Sequence, residues 1–159
     1  MRRLTAAALA VLLAAAAARA DDAPPPGYPA GATTFQANCA VCHGPAGAGV
    51  PSLAPPLTSY PARYAASAEG RRQLAMTVLY GLFGDIAVEG KHYASRMPDF
   101  AQLDDATLAA VLNFVVFDLG HAPATVTPLA AADLAAERAH PEDSAAVREH
   151  RKSVAPSDP

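Results

Sequence analysis

Both cysteines of this chain fall within one pentapeptide, Cys39-Ala40-Val41-Cys42-His43. On a helix that turns about 100° per residue, positions i, i+3 and i+4 share one narrow face. The two thiols and the imidazole therefore address a single object. C-x-x-C-H is the attachment pattern of haem c: the cysteines form thioethers with the vinyl groups and the histidine binds the iron. Any fold this chain adopts must keep a flat, apolar cavity open beside that turn. A zinc half-site would need a second ligand pair, and there is no further cysteine. A redox-active dithiol is expected beside a βαβ pattern, and none is visible.

The amino terminus reads as an address. Arg2 and Arg3 precede an apolar run from Leu4 to Ala18, and Ala18-Arg19-Ala20 forms a small-x-small cleavage site before Asp21-Asp22. Residues 1–20 are thus expected to be a secretory signal peptide, too short and alanine-rich for a comfortable membrane span. Export to the periplasm follows, with no membrane anchor in the mature chain. Removing Arg2, Arg3 and Arg19 takes the formal charge from −3 to −6. That balance disfavours nucleic acid and suits a basic partner surface. The apolar fraction of 52% overstates the core, because alanine dominates it and tryptophan is absent. A bound haem would supply the missing buried surface.

Four segments are expected: the signal peptide at 1–20, a proline-rich flexible leader at 21–29, a helical domain at 30–138 and a polar carboxy-terminal tail at 139–159. Gly31, Phe35 and Cys39 are spaced by four and begin a first helix that His43 ends. Residues 44–66, rich in Gly, Pro and Ser, read as a loop. Ser67 caps a second helix with Leu74, Val78 and Leu82 on one stripe, ending near Gly81 or Gly84. Residues 85–100 read as a second loop. Asp104 caps a third helix lined by Leu108, Val111, Leu112, Val115 and Leu119 and closed by Gly120. Thr127-Pro128 predicts the start of a short helix reaching about Ala139. One more frayed helix is expected over 142–152. No strand pattern competes, so the fold class is all-α.

A haem iron held by His43 has a sixth position. Methionine there gives a high-potential carrier, histidine lowers the potential, and an empty site admits ligands. Among the three methionines, Met1 leaves with the signal and Met76 sits beside an apolar helical stripe, where packing suits it. Met97 lies in a loop and is followed by Pro98, which fixes the backbone. These features favour Met97. His92 is the histidine competitor from the same loop, while His121, His140 and His150 fall near the end of the chain.

With Cys39-Ala-Val-Cys-His43-Gly44, Pro55-Pro56-Leu57, Gly90-Lys-His-Tyr93, Met97-Pro98-Asp99-Phe100 and the helix from Asp104 in view, the chain resembles the class I monohaem c-type cytochromes over 30–138. It looks most like bacterial free carriers and the cytochrome subunits of periplasmic dehydrogenases. The resemblance implies the class I fold, with three core helices around one covalent haem c and a helical extension after them. It implies His43 and Met97 as iron ligands, and Pro55 as the residue whose carbonyl accepts the imidazole N–H. It matches Gly31, Phe35 and Phe114 to a close helix crossing. Tyr60, Arg63, Arg71 and Tyr93 stand as candidate neighbours of the haem propionates. The implied function is one-electron transfer between redox proteins, such as a periplasmic dehydrogenase and a terminal oxidase or other cytochrome. A permanent dehydrogenase subunit, docked through the tail, is the alternative setting. A haem enzyme or gas sensor would need an open sixth site.

Overall fold

Gly31 sets the central crossing of the fold. A Cβ there would stand 2.1 Å from the Ala110 carbonyl oxygen and 2.8 Å from the Phe114 Cβ, so only glycine lets the two backbones approach this closely. In the computed structural model, which describes residues 27–156, Gly31 lies on α1 (Pro29–Asn38) and Ala110 on α5 (Asp105–Asn113). Phe35, one turn further along α1, is wholly buried and meets the Phe114 ring at 5.4 Å between centroids, tilted by 53°. The crossing expected from Gly31, Phe35 and Phe114 is present. The signal peptide and most of the leader lie outside the described residues.

Between α1 and α5 the chain builds α2 (Ala40–His43), α3 (Tyr60–Ala65), α4 (Ala68–Tyr80) and a two-stranded hairpin, β1 (Ile86–Val88) and β2 (Lys91–Tyr93). Ser67 caps α4 by accepting the Gly70 N–H, and Asp104 caps α5 by accepting the Thr107 N–H, both as the sequence predicts. Two features depart from the all-loop reading. Pro61 near the start of α3 presets a short helix inside residues 44–66. The hairpin pairs Ile86 with Tyr93 and Val88 with Lys91 around Glu89-Gly90, both at positive φ. Its strands are too short to carry a legible alternation.

Beyond α5 the helix widens into a π-helical segment, Phe114–Leu119, that buries Val115, Val116 and Phe117 in succession. The next helix, α6 (Ala131–Arg138), starts later than Thr127-Pro128 suggests. The buried Asn113 side chain holds the preceding stretch of chain in place: its Nδ2 donates to the Leu129 carbonyl at 2.9 Å and its Oδ1 accepts the Leu129 N–H at 2.8 Å. The Asp133 carboxylate accepts the Ala130 N–H, which begins the helix here. Leu129 and Leu134 then enter the core formed by Ala75, Leu79, Leu108 and Leu112.

The last helix, α7 (Ser144–Val154), is not a frayed tail. Asp143 caps it by accepting the N–H groups of Ala145 and Ala146. Val147 is fully buried against Met76 and Leu82, and Arg151 is buried as well. The sequence sets residues 139 onward apart as a polar tail; their helix instead packs on α4.

Candidate functional site

The pentapeptide forms one helical turn. The His43 N–H donates to the Cys39 carbonyl at 2.9 Å, so Cys39, Cys42 and His43 project from one side into a single cavity. Both cysteines are free and half-buried. Burial, reinforced by the neighbouring Cys42, pushes the Cys39 thiol up to about 11. No cluster of three potential metal-ligating His, Cys, Asp or Glu side chains exists among the described residues.

A compact loop returns Pro55 to His43. The Gly49 N–H donates to the His43 carbonyl at 2.8 Å, Val50 and Ala54 exchange a pair of backbone hydrogen bonds, and the Leu57 N–H donates to Gly47. The Pro55 carbonyl thereby comes within 2.9 Å of His43 Nδ1. A carbonyl only accepts, so Nδ1 carries the proton and Nε2 keeps its lone pair. Desolvation lowers the imidazole below the usual histidine range, the Pro55 hydrogen bond opposing it only in part. At neutral pH the ring is therefore a neutral donor with one free nitrogen.

Met97 lines the same cavity and is half-buried. Its N–H donates to the Leu82 carbonyl at 2.9 Å, and its carbonyl accepts the Leu82 N–H at 3.1 Å. Gly81, at φ 72°, permits this approach, because a Cβ there would lie 2.6 Å from the Met97 oxygen. Met76 is absent from the lining and packs with Leu82 and Val147. His92 is exposed on the hairpin, its Nδ1 2.9 Å from the Asp85 carboxylate. Cys39, Cys42, His43, Pro55 and Met97 thus all border one cavity. Of the candidate propionate neighbours, Tyr60 and Tyr93 border it, while Arg63 and Arg71 do not.

The remaining walls are mainly aromatic and aliphatic, with Phe35, Tyr60, Tyr64, Tyr93 and Phe100 among them, and Gln73, Arg96 and Arg151 add polar groups. A cavity that is largely apolar along its walls, with two thiols and one nitrogen donor at a single edge, fits a haem attached at that edge. A sequence model of cytochrome c matches residues 28–116. The chain belongs to the cytochrome c family. Cytochrome c-552 of Thermus thermophilus is 42% identical over 93 residues, spanning 58% of this chain and 71% of that protein. A cytochrome c-552 from a named strain of the same species is 42% identical over 93 residues, spanning 58% of this chain and 63% of that protein. Family membership makes this a class I c-type cytochrome, an electron-transfer protein rather than an enzyme, with covalent haem c as its cofactor. Among the wall residues that sequence reasoning missed are Gln73, Arg96 and Arg151, the last brought to the cavity by α7.

Proposed function

We propose that this cytochrome is an exported one-electron carrier in which His43 and Met97 ligate the haem iron. One observation carries the ligand assignment: His43 and Met97 border the same cavity, whereas Met76 and His92 do not. When bound, the haem supplies a ferric–ferrous couple, and methionine at the sixth position favours a high potential. The chain's own residues prepare the site. Pro55 fixes the His43 tautomer and ring orientation, which strengthens Nε2 as a donor. The two backbone hydrogen bonds between Leu82 and Met97 hold the sulfur-bearing residue against the end of α4. The apolar walls exclude water. With His43 and Met97 both holding the iron, no open position would remain for a substrate.

The signal-peptide pattern at 1–20 supports a periplasmic location. The partners are redox proteins, a donor such as a periplasmic dehydrogenase and an acceptor such as a terminal oxidase or another cytochrome, and they dock briefly through a small interface. The free-carrier setting is preferred over a permanent dehydrogenase subunit because α7, the docking element such a subunit would use, is occupied in packing on α4.

The test combines three measurements on protein prepared from its source. The oxidised protein should show the weak near-infrared sulfur-to-iron band, titrate as a single one-electron centre, and leave the cell with the periplasmic fraction. Absence of the band, or carbon monoxide binding to the reduced protein at neutral pH, refutes Met97 ligation. Co-purification with a dehydrogenase through sedimentation refutes the free carrier.

A further inference from the structure

Arg151 is only 9% exposed, yet no carboxylate lies within ion-pair distance of it among the described residues. Its guanidinium carbon stands 5.4 Å from the Tyr60 ring centroid and 5.8 Å from that of Tyr64. Its Nη2 donates to the Ala87 carbonyl at 3.2 Å. A guanidinium has five N–H donors, so most of its donor capacity remains uncommitted. Burial of such a cation without a counter-charge is costly. The surroundings add to the demand. Arg148 and Lys152 line the small pocket adjoining Arg151, and the Asp85 carboxylate in that pocket is already engaged by His92. The Tyr64 hydroxyl, buried in the same cluster, also has no hydrogen-bond partner.

All three side chains, Arg151, Tyr60 and Tyr64, border the haem cavity, and haem carries two propionate carboxylates. We propose that Arg151, supplied by α7 and set in place by Tyr60 and Tyr64, is the positioning residue for a haem propionate. This rests on the reading that His43 and Met97 hold the haem in that cavity. It gives the last helix a role in tuning the haem: the guanidinium supplies the charge that the carboxylate needs, and the Tyr64 hydroxyl supplies a further donor. Arg63 does not compete for the role, because it stacks on Tyr60 at 5.4 Å but does not border the cavity.

A cation beside the propionate opposes the extra positive charge of ferric iron. Its removal should lower the reduction potential. The experiment compares holoprotein carrying Arg151→Gln with holoprotein carrying Arg151→Lys. The expected result is a lower potential and a displaced propionate bending band in the resonance Raman spectrum of Arg151→Gln, with Arg151→Lys retaining most of both. Unchanged potential and band in Arg151→Gln, or equal changes in the two variants, would overturn the proposal and leave Arg151 as a packing residue. If Arg151→Gln does not accumulate, the unsubstituted protein serves. The Arg151 Nε–H resonance should move strongly between the reduced and the paramagnetic oxidised protein, and an immobile resonance refutes the assignment. The near-infrared sulfur-to-iron band is recorded throughout. Its persistence beside a failed Arg151 test separates this inference from the ligand assignment.

Discussion

His43 Nδ1 donates to the carbonyl oxygen of Pro55 at 2.9 Å, across twelve positions of sequence. The bond commits the free nitrogen of a neutral imidazole to the cavity, and it exists only because the intervening loop folds back through the Val50–Ala54 pair. The His43 ring is thus oriented by backbone rather than by a side chain, and substitution of a single side chain cannot delete the acceptor.

His43→Ala and Cys42→Ala are each expected to abolish stable holoprotein. They remove the proposed proximal donor and one of the two thiols of the C-x-x-C-H turn, and the alanine-rich core would draw buried surface from the bound group. The check is the yield of haem-bearing protein after export. Recovery of a haem-free Cys42→Ala chain with native helicity would contradict the expectation.

Met97→Ala should eliminate the near-infrared band and lower the reduction potential. Met76→Ala should leave both intact, because that side chain packs away from the cavity. Met76 is 2% exposed, so its truncation should instead cost about 2–5 kcal/mol in a urea titration. An exchanged pattern of effects would reassign the sixth position.

Gly31→Ala tests the helix crossing. The added methyl improves helix propensity by about 1 kcal/mol, but it must displace the Ala110 carbonyl, and overpacking of this kind costs about 1–3 kcal/mol or more. Net destabilisation in denaturant is the expected outcome. A stabilised variant would mean that the two helices separate freely.

Val147→Ala measures how firmly α7 is attached. Loss of two methyl-sized groups from a site that is 0% exposed should cost about 2 kcal/mol. Deletion of residues 140–159 should cost more and should alter the haem environment through Arg151. A truncated protein with unchanged stability and spectrum would show that α7 contributes nothing to the core.

Asp104 gives the fold an acid-sensitive cap. Its hydrogen bond from the Thr107 N–H, followed by smaller contributions, holds the carboxyl below the usual aspartate range. The folded value lies below the unfolded one, so the contribution is complete above the ordinary aspartate value and is lost as pH falls through the lowered value. Asp104→Asn keeps a capping oxygen without the charge. Its stability near neutrality should resemble the parent's, while the decline in that acid window should be shallower in a pH series of melting curves.

The parts of this fold that were legible in sequence are those whose chemistry is local. Cys39, Cys42 and His43 need one helical turn, Ser67 and Asp104 need only their own first turns, and Gly31 with Phe35 marks a face by spacing alone. The parts that were not legible depend on partners far along the chain. The hairpin from Ile86 to Tyr93 has three-residue strands, too few for a period. The π-helical segment keeps the apolar character of an ordinary helix, so nothing in residues 114–119 announces the wider turn. α7 hid its buried face because the stripe Val147, Arg151, Val154 has an arginine at its middle, and a count of apolar residues scores that position as solvent. An arginine at i+4 between two valines was the available signal.

The paired backbone of Leu82 and Met97 also divides labour along the chain. Residues 83–96 leave and rejoin the body of the protein at this one closed base, and the hairpin between packs on that body through Val88 and Tyr93, with only the turn at its Gly90 tip facing open space. Nothing lies within contact distance of a Cβ added at Gly90. Insertions at that tip therefore lengthen an excursion without displacing its base, in the way that exposed turns tolerate added residues generally. Sequence variation can accumulate at the tip while the Met97 backbone stays fixed, which separates change at the hairpin turn from the residue proposed as the second iron ligand.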